Sequence, residues 1–218
     1  NARRLAAQSV SQVDAVYAPA HGEPWPPADQ VDPALAQAFM AAQPAFGREG
    51  PFVPARPKWS LLDLYFRRVG VAGMTDPYFL ETLVASDLLV IERPMVVAHE
   101  WAHLAGLADE GEANFAGWLA CLRGGALHRY SAWLFLYGEV VSDLPDDLAR
   151  RIAEELDAGP RADLQAIRER ILTQVNPTAA AAGWSMYDRY LKANRVDEGT
   201  RSYGQVTRLV LGSGAAGR

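Results

Sequence analysis

Residues 99–103 of the chain read His-Glu-Trp-Ala-His, so that two histidines stand four positions apart and a glutamate follows the first. The sequence pattern turns helical after Arg93-Pro94 and predicts a helix over residues 94–104. On a helix, positions i and i+4 lie about 40° apart around the axis, so both imidazoles project from one face. The spacing therefore predicts that His99 and His103 converge on one metal ion.

Glu100 lies about 100° around the same helix from His99, close enough to reach a water on the metal without binding the metal itself. Zinc lowers the pKa of such a water toward neutrality, and a nearby carboxylate can take its proton as the water attacks a carbonyl carbon. A zinc site built from several thiolates is excluded, because Cys121 is the only cysteine. Zinc is therefore the predicted cofactor and Glu100 the predicted general base.

The third protein ligand is expected just after this helix, where Asp109, Glu110 and Glu112 are the candidates. The spacing HExxHxxGxxD resembles the metzincin pattern, in which Gly106 lets the chain turn back and Asp109 is the last ligand. Glu110 instead begins a predicted helix over residues 110–122, and Glu112 points to another side of that helix if Glu110 faces the metal. The geometry favours Glu110, with Glu112 and Asp109 as alternatives.

The chain of 218 residues is predicted to form one domain over residues 1–218, since no repeat or break in composition divides it. Residues 78–91 are the best candidate for strand, as at most two short strands, and residues 70–76 are predicted to be a turn. Residues 44–57 contain four prolines and two glycines, which indicates an irregular loop that could cover the site. Further helices are predicted over residues 1–16, 33–40, 61–69, 127–141, 145–156, 161–175, 178–193 and 203–211. The predicted fold class is α+β and predominantly helical, with a small β element.

The charge balance excludes one class of partner. The chain has 21 Lys+Arg and 26 Asp+Glu, a formal net charge of −5, which argues against a protein that neutralises the phosphates of nucleic acid. No run approaches the roughly 18 apolar residues that a membrane span needs, and no signal-peptide pattern is present. Because the chain begins with asparagine, it is expected to be a soluble fragment or a processed form.

The segment from Glu110 to Asn114 is similar to the E-x-x-A-N/D segment of gluzincin-type peptidases, which implies Glu110 as the third ligand and Asn114 as a residue that orients a ligating histidine. Further segments to consider with it are residues 70–73, 77–79, 97–103, 129–131, 190–194 and 202–204. Together these segments resemble a bacterial, membrane-anchored zincin-like metallopeptidase family of unknown function. The resemblance implies a zincin-like fold, membrane helices ahead of this domain, and an extracytoplasmic location at the cell membrane.

The remaining parts of a peptidase site are also expected from this resemblance. Zincins stabilise the oxyanion of the reaction with a side-chain donor. Tyr130 and Tyr203 are favoured because they lie in the similar segments, and His128 and Arg201 are further candidates. Zincins also bind peptides as an added strand on an exposed sheet edge, and residues 81–86 are expected to provide that edge.

The expected function is that of a zinc-dependent metallopeptidase acting on a peptide or protein. The alternative is a zinc-bound sensing or interaction module that has kept the site without efficient cleavage. Glu100 favours catalysis, because a purely structural zinc has four protein ligands and needs no base. The substrate, the cleavage preference and the oligomeric state are not predicted.

Overall fold

Helices make up most of the chain that the structure describes. This computed structural model describes residues 2–22, 24–50, 52–76, 78–181 and 205–215. A small sheet accompanies the helices, so the predicted class, α+β and predominantly helical, is confirmed. The helices are α1 (Ala2–His21), α2 (Pro33–Ala42), α3 (Asp63–Val69), α4 (Arg93–Leu104), α5 (Glu110–Leu122), α6 (Ala126–Ser142), α7 (Asp146–Glu155), α8 (Ala158–Gln174) and α9 (Val206–Ser213). The strands are β1 (Pro57–Lys58), β2 (Gly73–Asp76) and β3 (Glu81–Val84).

Helix α5 is the element around which the other helices gather. It contacts α2, α4, α6 and α9, while α1 packs along α6. Trp118 of α5 is fully buried, and its ring meets Trp133 of α6 edge to face, with the ring centroids 5.6 Å apart. Tryptophan side chains bury large apolar areas, so this pair is a major contribution to the contact between α5 and α6.

Helices α4 and α5 approach each other closely at Gly117. A Cβ atom built on Gly117 would lie 2.9 Å from the backbone N of His99 and 3.2 Å from the carbonyl carbon of Ala98. Both neighbours are backbone atoms, which cannot move aside as a flexible side chain can. The absence of a side chain at position 117 therefore sets how near α5 comes to the helix that carries the two histidines.

We expect Gly117→Ala to lower the free energy of unfolding by about 1–3 kcal/mol, because the added methyl group forces two packed helices apart. Gly138→Ala on α6 is the matched control, since nothing lies within 4 Å of a Cβ built there. At that position alanine should stabilise the helix by up to about 1 kcal/mol. Denaturant unfolding of both variants checks this, and a shift of both in the same direction would contradict the assigned packing.

The sheet has the order β1-β3-β2, with β1 parallel and β2 antiparallel to β3. In the register of the antiparallel pair, Gly73 lies opposite Val84 and Thr75 lies opposite Thr82. Both β2 and β3 contact α4, so the sheet lies against the helix that carries the histidine motif. The outer edge of the sheet nearest to this motif is therefore β2.

Two expectations about the strands are corrected. Residues 73–76 form a strand where a turn was predicted, because pairing with β3 outweighs the weak strand propensity of this short segment. Within residues 78–91, residues 81–84 are strand, which agrees with the expectation of at most two short strands there. The segment 81–86 is not an exposed edge, since β3 is the central strand and pairs on both sides. The predicted helix over residues 178–193 lies mostly outside the described residues.

Helix α1 continues to His21, beyond the predicted end at residue 16 and through Pro19. Ala20 is fully buried and extends the apolar face that packs against α6, and this packing outweighs the hydrogen bond that a proline removes from a helix. Although α1 has 20 residues, its apolar side chains share the helix with charged ones. None of the helices within the described ranges combines the length and the hydropathy needed to cross a bilayer.

Candidate metal centre

His99 and His103 converge as the spacing predicts. Their Nε2 atoms lie 3.1 Å apart, and the two rings are perpendicular with centroids 4.7 Å apart. Glu110, the first residue of α5, places Oε2 3.3 Å from Nε2 of His99 and 3.4 Å from Nε2 of His103. The ligand atoms of the three residues all lie within 4.8 Å of one another. We call these three residues the His-His-Glu cluster.

The distances within this cluster fit a tetrahedral zinc ion. Nitrogen and oxygen ligands bound about 2.0–2.1 Å from a zinc ion at tetrahedral angles lie about 3.3–3.4 Å from each other. The three donor separations of 3.1, 3.3 and 3.4 Å agree with this value. The histidine side chains are 14% and 17% exposed, whereas that of Glu110 is 5% exposed. The cluster thus offers three protein donors, and its two histidines retain a small exposure to solvent.

The two alternatives for the third ligand are placed elsewhere. The carboxylate of Asp109 accepts a hydrogen bond from the backbone N–H of Glu112 at 2.9 Å, so Asp109 is the N-cap of α5. Glu112 is exposed on the first turn of the same helix. Among the three candidates, the structure brings Glu110 to both histidines.

Gly106 orients His103 through the turn that ends α4. Gly106 has a φ of 90°, and the amides of Gly106 and Leu107 donate to the carbonyl oxygens of His103 and Ala102, which is a Schellman motif. This turn brings the Leu107 carbonyl to His103, whose Nδ1–H donates to it at 2.7 Å. With its proton held on Nδ1, the neutral ring presents the lone pair of Nε2 to the cluster. Sequence reasoning predicted the turn but not this hydrogen bond.

The orienting role implied for Asn114 is not seen. Asn114 is buried on α5 at 6% exposure, on the same helix as Glu110. Within the described ranges, no hydrogen bond joins its amide to either histidine. Nδ1 of His99 is buried and likewise has no hydrogen-bond partner in that part of the chain.

Glu100 is buried beside the cluster at 3% exposure and is held by strand β2. The hydroxyl of Thr75 lies 2.9 Å from its Oε2 and 2.8 Å from its main-chain oxygen. Burial raises the pKa of Glu100, against the opposing influence of the charges on His99 and His103 and of the hydrogen bond from Thr75. A carboxylate with a raised pKa is a stronger base, which suits proton transfer near neutral pH. Sequence reasoning missed Thr75, because no motif links it to residue 100.

The charges of His103 and Glu110 shift the pKa values of each other. Burial disfavours the charged form of His103, but the hydrogen bond and the charge of Glu110, together with the charge of Glu100, raise the pKa of His103 to about 9. Burial likewise opposes ionisation of Glu110, yet its hydrogen bonds to His103 and His99 hold its pKa well below the usual range. Without a metal, His103 is therefore protonated at neutral pH and pairs with an ionised Glu110.

We expect zinc binding near neutral pH to release about one proton from His103, because a metal binds the neutral imidazole only. The apparent zinc affinity should rise with pH until the pKa of about 9 is reached and level off above it. Calorimetric titration with zinc in two buffers of different ionisation enthalpy measures the proton count. Release that is absent at neutral pH, or that stays constant above pH 9, would contradict the assigned charge state.

Tyr130, one of the expected oxyanion donors, belongs to a different cluster. Its side chain is buried where α6 faces α1, with its ring against Tyr17 and His21. Its hydroxyl donates to Oδ2 of Asp163 at 2.5 Å, and burial followed by this carboxylate raises the pKa of Tyr130. The structure does not bring Tyr130 to the His-His-Glu cluster, and this expectation is corrected. The helix was predicted, but the face that α1 covers depends on tertiary packing.

The other expected donors are not at the cluster or are not described. His128 is 2% exposed, with Nε2 2.6 Å from Oδ2 of Asp32 and Nδ1 accepting from the amide of Gly125. This histidine joins α6 to the N-terminus of α2. Tyr203 and Arg201 lie outside the described residues.

Strand β2 is an edge strand of the three-stranded sheet that the described residues form. The amide of Ala85 donates to the carbonyl of Ala72, so positions 72, 74 and 76 direct their backbone groups toward β3. In an antiparallel pair the intervening residues direct theirs outward. The N–H and C=O of Gly73 and Thr75 therefore point to the outer edge, beside the helix that carries Glu100.

The described chain thus defines a predominantly helical α+β protein with a three-residue cluster able to hold a metal ion. A family model described as "Protein of unknown function (DUF3810)" matches residues 8–211, and the chain belongs to that family. Comparison with curated proteins and with solved structures finds no match.

Proposed function

We propose that this protein is a zinc-dependent metallopeptidase with a zincin-like site. One observation carries the proposal: three residues with the donor separations of a tetrahedral zinc site lie beside a buried carboxylate that is not one of them. His99, His103 and Glu110 are the proposed ligands, and Glu100 is the proposed general base. No ion pair in the described part of the chain includes Glu100, so its carboxylate is not committed to a structural salt bridge.

In the proposed hydrolysis, the metal and Glu100 have separate roles. Bound zinc supplies a Lewis acid that polarises the substrate carbonyl and lowers the pKa of a nearby water. Glu100 accepts a proton from this water as the oxygen bonds to the carbonyl carbon. Glu100 then donates the proton to the amide nitrogen as the C–N bond breaks, which regenerates the carboxylate. Burial of Glu100 supports both steps, because it raises the pKa of the carboxylate toward the pKa values of the groups with which Glu100 exchanges the proton.

The outer edge of β2, which no other described strand pairs with, supports a peptide or protein as the substrate. An extended peptide adds to an exposed edge through main-chain hydrogen bonds, which are independent of its sequence. The outward N–H and C=O groups of Gly73 and Thr75 are positioned for this pairing, next to the strand face that meets Glu100. Residues 73–76 therefore replace residues 81–86 as the proposed substrate edge.

Two further parts of the proposal rest on the resemblance to zincin-like families. Tyr203 is the proposed oxyanion donor, since Tyr130 is committed to Asp163. Anchoring to the cell membrane, with this domain on the extracytoplasmic side, is proposed from the same resemblance.

The experiment that tests the function compares zinc-loaded wild type with Glu100→Gln on a pool of quenched fluorescent peptides. Cleavage by the wild type that a chelator abolishes and zinc restores supports the proposal. Zinc binding by both proteins without any cleavage would contradict it and favour the alternative, a zinc-bound sensing or interaction module.

A further inference from the structure

Two residues of strand β2, Gly73 and Thr75, lie against the carboxylate of Glu100. Gly73 and Thr75 are two positions apart, so they face the same side of the strand. The Thr75 hydroxyl is 2.9 Å from Oε2 of Glu100. A Cβ atom on Gly73 would lie 2.6 Å from Oε1 and 3.0 Å from Cγ of the same glutamate. Each carboxylate oxygen thus lies next to one residue of β2.

A glutamate that acts as a general base needs contacts that fix the position of its carboxylate. Glutamate has three side-chain torsions, and a general base must stay within hydrogen-bond reach of the proton that it takes. The Thr75 hydroxyl lies within hydrogen-bond distance of two acceptors, the carboxylate and the main-chain oxygen, and both belong to Glu100. Whichever acceptor takes its single proton, the strand stays attached to this residue. Gly73 leaves the space that the carboxylate occupies in this position.

We propose that Thr75 is a positioning residue for the general base. Glycine is required at position 73, because a side chain there would occupy the space of the Glu100 carboxylate. The inference rests on the proposed function and adds a part to it that the histidine motif does not contain. The outward backbone groups of these two residues also lie at the proposed substrate edge. The strand proposed to bind the substrate is therefore also the strand that orients Glu100. One element would thus fix the positions of the substrate and of the base relative to each other.

Thr75→Val and Thr75→Ser test the inference, because valine keeps the shape of threonine and serine keeps its hydroxyl. Loss of a supporting hydrogen bond of this kind typically costs about 10–100-fold in activity, so Thr75→Val should lower kcat on the peptide pool by that factor. The KM and the Kd for zinc should stay within about twofold of wild type, since neither substrate pairing nor a ligand is removed. Thr75→Ser should recover most of kcat.

Crystal structures of wild type, Thr75→Val and Gly73→Ala provide a readout that is independent of cleavage. We expect the Glu100 carboxylate to leave its position in both variants while the His-His-Glu cluster is unchanged. An unmoved carboxylate in Thr75→Val, a serine variant as impaired as the valine variant, or loss of zinc in Thr75→Val would overturn the inference. If wild type binds zinc but cleaves no peptide, the peptidase proposal fails, and the position of Glu100 in these structures still decides the role of Thr75.

Discussion

Glu100→Gln is expected to lower kcat on the peptide pool by about 10²–10⁴-fold, the usual contribution of a general base. Glutamine has nearly the size and shape of glutamate, and its amide can still bond to the Thr75 hydroxyl, so the pocket should be preserved. An amide cannot take a proton from water at neutral pH, so the first step of hydrolysis is lost. Zinc should remain bound, because Glu100 is not part of the His-His-Glu cluster.

Glu112→Gln is the matched control for this experiment. The same chemical change is made on an exposed residue of α5, where it should leave cleavage and zinc content unchanged. Parallel metal analysis of all three proteins shows whether a loss of activity comes with a loss of metal. Full activity in Glu100→Gln would show that another group takes the proton and would remove the central element of the proposed mechanism.

Glu110→Ala should abolish the stabilisation that zinc confers on the protein. A ligand that binds only the folded state raises the free energy of unfolding by about 4 kcal/mol when its free concentration is 1,000 times its Kd. The wild type should therefore show a higher Tm in saturating zinc than after chelation. Glu110→Ala removes the anionic donor that lies 3.3 and 3.4 Å from the two histidines, so its Tm should not respond to the same zinc concentration.

Glu112→Ala separates loss of a ligand from a general effect of removing an acidic residue from the first turn of α5. Both glutamates stand near the positive end of the helix dipole, but only Glu110 is buried against the histidines. We expect the control to keep the full response of Tm to zinc. A response that is lost in Glu112→Ala and kept in Glu110→Ala would reassign the third ligand.

The parts of the site that could be predicted from the sequence depend on local geometry. His99 and His103 are one helical turn apart, and the 3.6-residue period places them on one face whatever surrounds the helix. Glu110 was favoured for a similar reason, since it begins a helix shortly after the motif. The tertiary structure places Glu110 beside both histidines, Asp109 at the cap of α5 and Glu112 on its exposed side.

The errors come from contacts between distant segments. Tyr130 was placed on a helix correctly, but the packing of α1 along α6 directs it toward Asp163. Strand β2 was predicted to be a turn, because four residues that include a glycine carry no strand pattern until β3 pairs with them. Helix α1 extends through Pro19 because burial against α6 outweighs the local preference to end there.

The sequence by itself determined the donor groups of the candidate centre: two imidazoles that helical spacing places on one face, the acid that follows the first of them, and a carboxylate at the start of the next helix. The tertiary structure alone decided which strand contacts Glu100, which strand is at the edge of the described sheet and that Tyr130 lies away from the cluster. The reason is physical. Helical spacing acts over a few residues, whereas the approach of β2 to α4 depends on pairing and close packing between segments about 25 residues apart.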